Sequence, residues 1–300
     1  MKQSFNPLNQ DLLVNIGGEL LPRSEAKVSV FDSLVQGGDG CWEGLRLYQG
    51  RIFKLTEHLE RLRHSALAMG FKTIPPAAQI RQEIRRTLEA NQMTDGVHIR
   101  LTLSRGEKIT SGMDPRLNQA GPLLIVLAEH KTPVYSKTGL NLITSSLRRF
   151  PPDCLDPKIH HNNLLQSILA KLEANAAGAD DAILLDMGGF VAETNATNLF
   201  LVANSEVHTP RTVACPEGVT RATVLELCRT AQLPCQERDI SLAEFHRADE
   251  VFCTGTMGEI AAVVTIDGRT IGQGEVGPLT RQVAELYAQC TSQQGETILS

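Results

Sequence analysis

Two amphipathic helix patterns stand side by side among strand-like segments. That irregular order restricts the fold more than any other feature of the sequence. Residues 56–69 put Leu59, Leu62, Ala66 and Met69 on one face, with Thr56 as the expected cap and Gly70 as the stop. Residues 76–91 do the same with Ile80, Ile84 and Leu88. Segments 11–18 and 26–31 ahead of them read as strands, the first ending in Gly-Gly and the second alternating at Val28 and Val30. Residues 44–55 read as a hairpin turning at Gln49-Gly50. Strands are expected at 97–105 and 122–130, joined by a polar loop. The second half mixes elements in the same way: a strand at 141–147, a helix at 161–178 closed by Gly178, strands over 181–204, a helix at 218–233, strand-turn-strand at 249–269 and a helix at 276–290. No βαβ rhythm runs through this order, so the fold class is α+β rather than doubly wound. The polar, Pro-containing stretch 131–138 reads as a connector between a smaller N-terminal domain, 1–130, and a larger C-terminal one, 139–300.

Charge and cysteine content exclude several function classes. The formal net charge is −5 and the eight histidines are scattered, so no nucleic-acid footprint is expected. The seven cysteines include no CxxC pair, which argues for free thiols in a reducing compartment and against a metal site. The first residues hold no apolar signal core, and no apolar run approaches the roughly 20 residues of a membrane span. A cytoplasmic location, with no nucleic-acid or membrane partner, is the expectation.

Four places carry chemistry. Lys158 follows a Pro-rich loop and precedes two histidines, two asparagines and an apolar helix face, a run suited to lining a cavity. Glu193 sits between apolar strand residues and small polar ones. A carboxylate there could face the ring nitrogen of pyridoxal phosphate, which works as an electron sink when that nitrogen is protonated. Gly218-Val219-Thr220 opens a helix, where free N–H groups and the dipole attract an anion. A second small-polar turn, Thr254-Gly255-Thr256-Met257-Gly258, follows an apolar strand. Arg61 lies one residue before inward-facing Leu62, and its fork suits a phosphate.

Five blocks, EHLERLRHSA, PKIHHNNLLQS, VAETNATNLF, GVTRATVLEL and CTGTMGEI, resemble in order and spacing the signature blocks of fold-type-IV aminotransferases, a family that includes D-amino acid and branched-chain aminotransferases. The resemblance runs from about Val14 to about Leu286. It implies a two-domain α+β enzyme using pyridoxal 5'-phosphate. Lys158 would form the Schiff base and shuttle protons, and Glu193 would meet the pyridine nitrogen. Arg61, Val219, Thr220 and Thr256 would form the phosphate cup. Thr256 and Met257 would also offer backbone N–H groups to the substrate carboxylate, and Trp42, His98 and Arg100 would line the substrate pocket. Ping-pong transfer between an amino acid and a 2-oxo acid follows, in a homodimer with any higher assembly left open.

The subfamily is less marked. Branched-chain enzymes carry tyrosines where this chain has Gly37, His98 and Asn163, although Arg100 matches theirs. The KIHHNN run, the loop at 110–118 and the ETNATN block lean toward D-amino acid aminotransferases. A branched-chain L-amino acid enzyme is the alternative. A 4-amino-4-deoxychorismate lyase or an (R)-amine transaminase comes further behind. The roles of Arg46, Arg116, His160 and His161 stay open at this level.

Overall fold

The computed structural model describes residues 4–133, 135 and 138–299. They form two compact units, each built on one sheet. Of the described residues, the first unit contains 4–132, joined by Ile159–Asn163 and 291–299; the second contains Pro133–Lys158 and Leu164–Cys290. The chain thus changes unit inside the expected connector 131–138, of which residues 134, 136 and 137 lie outside the described residues. The expected assignment of all of 139–300 to one domain needs correction. Residues 159–163 extend the first sheet, with Trp42 N donating to His160 O at 3.0 Å and Asn162 N to Gly40 O at 2.9 Å. The C-terminal strand pairs there as well.

The first unit contains β1 (Leu13–Ile16), β2 (Glu19–Pro22), α1 (Ser33–Gly37), β3 (Gly40–Tyr48), β4 (Arg51–Ile52), α2 (Leu55–Ala68), α3 (Ala77–Ala90), β5 (Val97–Ser104) and β6 (Leu123–His130). With the final strand, β16 (Glu296–Thr297), they form a seven-stranded sheet in the order β16-β4-β3-β5-β6-β1-β2, antiparallel throughout. Alternation explains its core. Val97, Ile99, Leu101 and Leu103 of β5 are all 0% exposed and meet Leu59, Leu62, Ile84 and Leu88 of the two helices. The β3–β4 hairpin turns at Gln49 (φ 48°) and Gly50 (φ 75°), the backbone that a twisted two-residue turn requires. Segment 26–31 is not a strand. It finds no ladder partner, and Val30 and Phe31 are exposed. Thr56 is not the cap of α2 either; Lys54 occupies that position without a side-chain bond, and Thr56 Oγ1 accepts from Arg81.

The second unit contains β7 (Leu140–Arg148), α4 (Pro152–Leu155), α5 (Leu165–Ala176), β8 (Asp181–Leu185), β9 (Val191–Thr194), β10 (Asn198–Ala203), β11 (Glu206–Pro210), α6 (Val219–Thr230), β12 (Cys235–Arg238), α7 (Leu242–His246), β13 (Glu250–Gly255), β14 (Glu259–Ile266), β15 (Arg269–Thr270) and α8 (Pro278–Gln293). Its nine-stranded sheet runs β12-β11-β10-β13-β14-β7-β8-β9, with β15 beside β14. Parallel pairs β11–β12, β14–β7 and β7–β8 make it mixed, so the fold is α+β. One face packs Phe200, Val202 and Phe252 against Val224 and Cys228 of α6 and Val283 of α8. The other packs Leu199, Leu201, Val251 and Cys253 around Phe245 of α7. The expected helix at 161–178 begins only at Leu165, because His161 and Asn162 bond to the start of β3.

Candidate active site

In the second unit, four features expected from the sequence hang on one sheet. Lys158 ends the loop after α4. Its side chain is 49% exposed, and Nζ donates to Glu217 Oε1 at 2.7 Å. That hydrogen bond holds the ammonium above the usual lysine value. Glu193, 5% exposed on β9, is held by Arg149, whose Nε lies 2.9 Å from Oε1. Arg149 is itself fixed by Nη2 donating to the carbonyls of Thr194 (3.1 Å) and Asn195 (3.2 Å). A buried carboxylate keeps its charge only with such a partner.

The start of α6 is open. Gly218 is its N-cap, no side chain caps it, and the first amides of a helix have no acceptor within it. A methyl on Gly218 would lie 3.1 Å from Asn198 Cγ and collide with Asn198 Oδ1. Asn198 on β10 faces Thr254 on β13, so both side chains share the α6 face. Thr254 Oγ1 is buried with no hydrogen-bond partner among the described residues. Thr256 and Met257 form the β13–β14 turn just beyond. Cys215 ties these groups together. Asn198 Nδ2 reaches its Sγ at 3.7 Å, burial pushes its thiol up, and the charges of Glu193, Arg221 and Arg149 all act on it.

This donor set fits pyridoxal phosphate. It offers an amine for the aldehyde, an anchored carboxylate for the ring nitrogen, and a capless helix start with an orphaned hydroxyl for the phosphate.

The remaining expected residues lie in the first unit. Arg61 is committed there to Glu43, donating from Nε to Oε1 at 2.8 Å and from Nη2 to Oε2 at 2.7 Å. Glu43 is 0% exposed and also holds His58 Nδ1 at 2.6 Å. Burial pushes its carboxyl up, yet the charges of Arg61 and His160 outweigh this and hold it well below the usual range. Trp42 stacks on His160, with ring centroids 4.3 Å apart, and donates from Nε1 to His161 O at 3.1 Å. Arg100 Cζ lies 3.5 Å from the centroid of the Trp42 ring. Arg46, 6% exposed, shares this face of β3, while Glu43 is on the opposite one.

The open roles separate accordingly. His160 is a structural partner of Trp42, with Nδ1 2.6 Å from Trp42 O. Arg116 is 84% exposed and folds back on Asp114. Asn163 lies against Gly38, the residue after Gly37, and donates to its carbonyl at 3.3 Å. Arg149, Glu217, Asn198, Thr254 and Glu43 were not singled out from the sequence as site residues. Glu217, directly before the Gly218 helix start, was the most accessible of them.

Together, the mixed two-sheet fold and the lysine, carboxylate and open helix start define a phosphate-cofactor enzyme of the α+β class. The chain matches the family Amino-transferase class IV over residues 40–266 and belongs to it. It is 55% identical, over 97% of its length, to a branched-chain-amino-acid aminotransferase-like protein 2 of Arabidopsis thaliana, and it covers 52% of that protein. It therefore spans about half the length of the A. thaliana relatives it matches. A putative branched-chain-amino-acid aminotransferase of Methanocaldococcus jannaschii is 36% identical, with 94% of this chain and 97% of that one covered. A D-alanine aminotransferase of Bacillus licheniformis is 34% identical, with 90% and 94% covered. Among solved structures, a T.th. branched-chain amino acid aminotransferase complexed with N-(5'-phosphopyridoxyl)-L-glutamate superposes with a TM-score of 0.87 at 31% identity, covering 94% of each chain. The fold is fold type IV and the cofactor is pyridoxal phosphate. No described helix is long and apolar enough to cross a membrane.

Proposed function

We propose that the chain transfers an amino group between a branched-chain L-amino acid and a 2-oxo acid. The observation that carries the transaminase reading is the grouping of Lys158, the Arg149-anchored Glu193 and the open start of α6 on one sheet. Pyridoxal phosphate, when bound, supplies a sink for the electron pair released at the substrate Cα. Lys158 Nζ carries the proton to and from that carbon once Glu217 releases it. Glu193 would face the ring nitrogen, and Arg149 keeps Glu193 in place. The amides of Val219 and Thr220 and the Thr256 hydroxyl would hold the phosphate. Met257 N–H would help to hold the substrate carboxylate.

The branched-chain reading takes precedence over the D-amino acid lean of the KIHHNN and ETNATN blocks. Similarity to branched-chain enzymes recurs among both the relatives and the solved structures. Likeness to the D-alanine enzyme keeps the D-specific reading as the second one.

We further propose a homodimer in the cytoplasm. Leu165, Ile168, Leu169 and Leu172 of α5 form an exposed apolar stripe at helical spacing, which a second copy could cover. The free thiols, including exposed Cys154, suit a reducing compartment.

The test is spectroscopic. Protein loaded with pyridoxal phosphate should show a visible band that a Lys158→Ala variant lacks. L-leucine without acceptor should discharge it, and D-alanine should not. A missing band would overturn the enzyme reading. Discharge by D-alanine alone would overturn the branched-chain one.

A further inference from the structure

Lys158 is held at both ends. Its backbone N–H donates to Asp156 Oδ1 at 2.9 Å, and its ammonium donates to Glu217 Oε1 at 2.7 Å. The second distance is that of a charge-assisted bond. Asp156, two residues back, fixes the turn that carries the lysine. Glu217 arrives from 59 positions further along the chain and fixes where Nζ points. All three residues belong to the second unit.

Electrostatics single out Glu217 among the groups that face this ammonium. Its hydrogen bond raises the lysine above its usual value, burial lowers it, and the charges of Glu217, Asp156 and Cys215 raise it further. Cys215 is a neutral thiol near neutral pH, because burial pushes it far up. Asp156 accepts from the lysine backbone, and Glu193 is paired with Arg149 at 2.9 Å. Glu217 is the carboxylate that touches Nζ.

The place of Glu217 in the chain gives this pair a consequence. Glu217 directly precedes Gly218, the N-cap of α6, and a carboxylate beside a helix start is attracted to the free amides there. Here Glu217 Oε1 is turned to Lys158 instead, away from amides that a phosphate could use. The pair lasts only while Lys158 is an ammonium with three N–H donors. To bond an aldehyde carbon, the ammonium gives one proton to solvent, the nitrogen bonds the carbonyl carbon, and the carbonyl oxygen leaves as water. The product nitrogen has at most one proton to offer and is a weaker base than an amine. Glu217 then keeps its charge without that cation, beside a helix start that attracts a phosphate, and like charges so placed repel.

We propose that Glu217 is a positioning residue that holds Lys158 whenever the lysine is free, and thereby favours the aminated form of the cofactor, which leaves Lys158 free, over the aldehyde form, which engages it. This rests on the aminotransferase reading and adds a control on the balance between its two halves.

The experiment reads that balance without turnover. Protein loaded with pyridoxal 5'-phosphate is equilibrated near neutral pH with pyridoxamine 5'-phosphate at several ratios, and the visible band reports the fraction in the aldehyde form. The Lys158 and Glu217 side chains are 49% and 62% exposed, and an exposed pair moves an equilibrium by about 1.5- to 5-fold. Glu217→Gln should shift the exchange ratio toward the aldehyde form by that factor at low salt. In about 1 M salt, where the screening length is about 3 Å, the native and variant ratios should converge. Both ligands carry the same phosphate, so its own salt dependence cancels in the ratio. A shift caused by a reshaped loop would persist in salt. An unchanged or opposite ratio in Glu217→Gln, or a difference that salt leaves intact, would overturn the proposal. Discharge of the band by L-leucine and by D-alanine is measured in parallel. If neither discharges it while the ratio follows Glu217, the transaminase reading fails and the hold on Lys158 stands. If either discharges it and the ratio is unchanged, only the role of Glu217 fails. A loaded native protein without a visible band would overturn both.

Discussion

Replacing Gly218 by alanine tests the cofactor site at its tightest point. The backbone of Gly218 is ordinary, with φ −65° and ψ 126°, so alanine brings no conformational strain. Its intrinsic cost at an N-cap relative to glycine is about a few tenths of a kcal/mol to 1 kcal/mol. The effect is therefore steric. The methyl would stand 3.1 Å from Asn198 Cγ and 3.3 Å from Arg221 Cβ, with Asn198 Oδ1 closer still. Carbon pairs rest at about 3.5–4.0 Å, so either Asn198 or the first turn of α6 must move by roughly 0.5 Å or more. Arg221 cannot yield cheaply, because Nη2 holds Pro210 O at 2.8 Å and Glu237 Oε2 at 2.6 Å. If α6 moves, amides set near 2.9 Å from a phosphate oxygen pass toward the limit of about 3.5 Å, where the bond is lost. One such charge-assisted bond is worth about 1.5–3 kcal/mol. Gly218→Ala should then weaken pyridoxal phosphate by roughly 10- to 100-fold in an absorbance titration. The double variant Gly218→Ala/Asn198→Ala removes the obstruction and should recover most of that affinity. Gly218→Ala with native affinity would refute the expectation that α6, rather than the Asn198 side chain, gives way. A loss that Asn198→Ala fails to relieve would refute the steric account.

Two further outcomes follow from the first unit and from α5. Glu43→Gln breaks a buried pair with Arg61 and should cost about 3–5 kcal/mol near neutral pH. The charges of Arg61 and His160 hold the carboxyl well below the usual carboxylate range, so its stabilisation is present above that range and is lost as pH falls through the folded value. The gap between variant and native urea midpoints should shrink on going from about pH 7 toward about pH 3, and a constant gap would contradict the assignment. Leu169→Lys places a charge in the exposed α5 stripe and should halve the mass measured by light scattering. A native chain that is already monomeric would sink the dimer reading.

The fold was legible where local pattern and tertiary partner agree. The periodic faces of α2 and α3 find the β5 core that their spacing calls for, and Gln49-Gly50 makes the turn its residues favour. Segment 26–31 has equally good alternation but no neighbouring strand to pair with, and alternation alone cannot supply one. Residues 161–164 fail for the opposite reason. Their composition tolerates a helix, but the backbone at the start of β3 takes Asn162 N and the His160 carbonyl first. A backbone bond to a distant strand leaves no trace in sequence periodicity.

The same distinction runs through the site. Lys158, Glu193, Val219, Thr220 and Thr256 stand in blocks whose order survives reading along the chain. The groups that make them useful do not. Arg149 lies 44 positions before Glu193 and looks like one of two adjacent loop arginines, yet it carries the counter-charge of a carboxylate that is 5% exposed. Glu43 and Arg46 stand three residues apart. Strand alternation sends the two to opposite faces, where Glu43 serves Arg61 and Arg46 shares a face with His98 and Arg100. These five charged or polar side chains belong to β3, β5 and α2, and register alone determines which of them meet. A block that names Arg61 and Arg100 as binding residues therefore leaves open whether each is neutralised by the protein or by the substrate. Here the fold answers differently for the two: Arg61 has its carboxylate in Glu43, whereas Arg100 stacks on the Trp42 ring and has no carboxylate in ion-pair reach among the described residues.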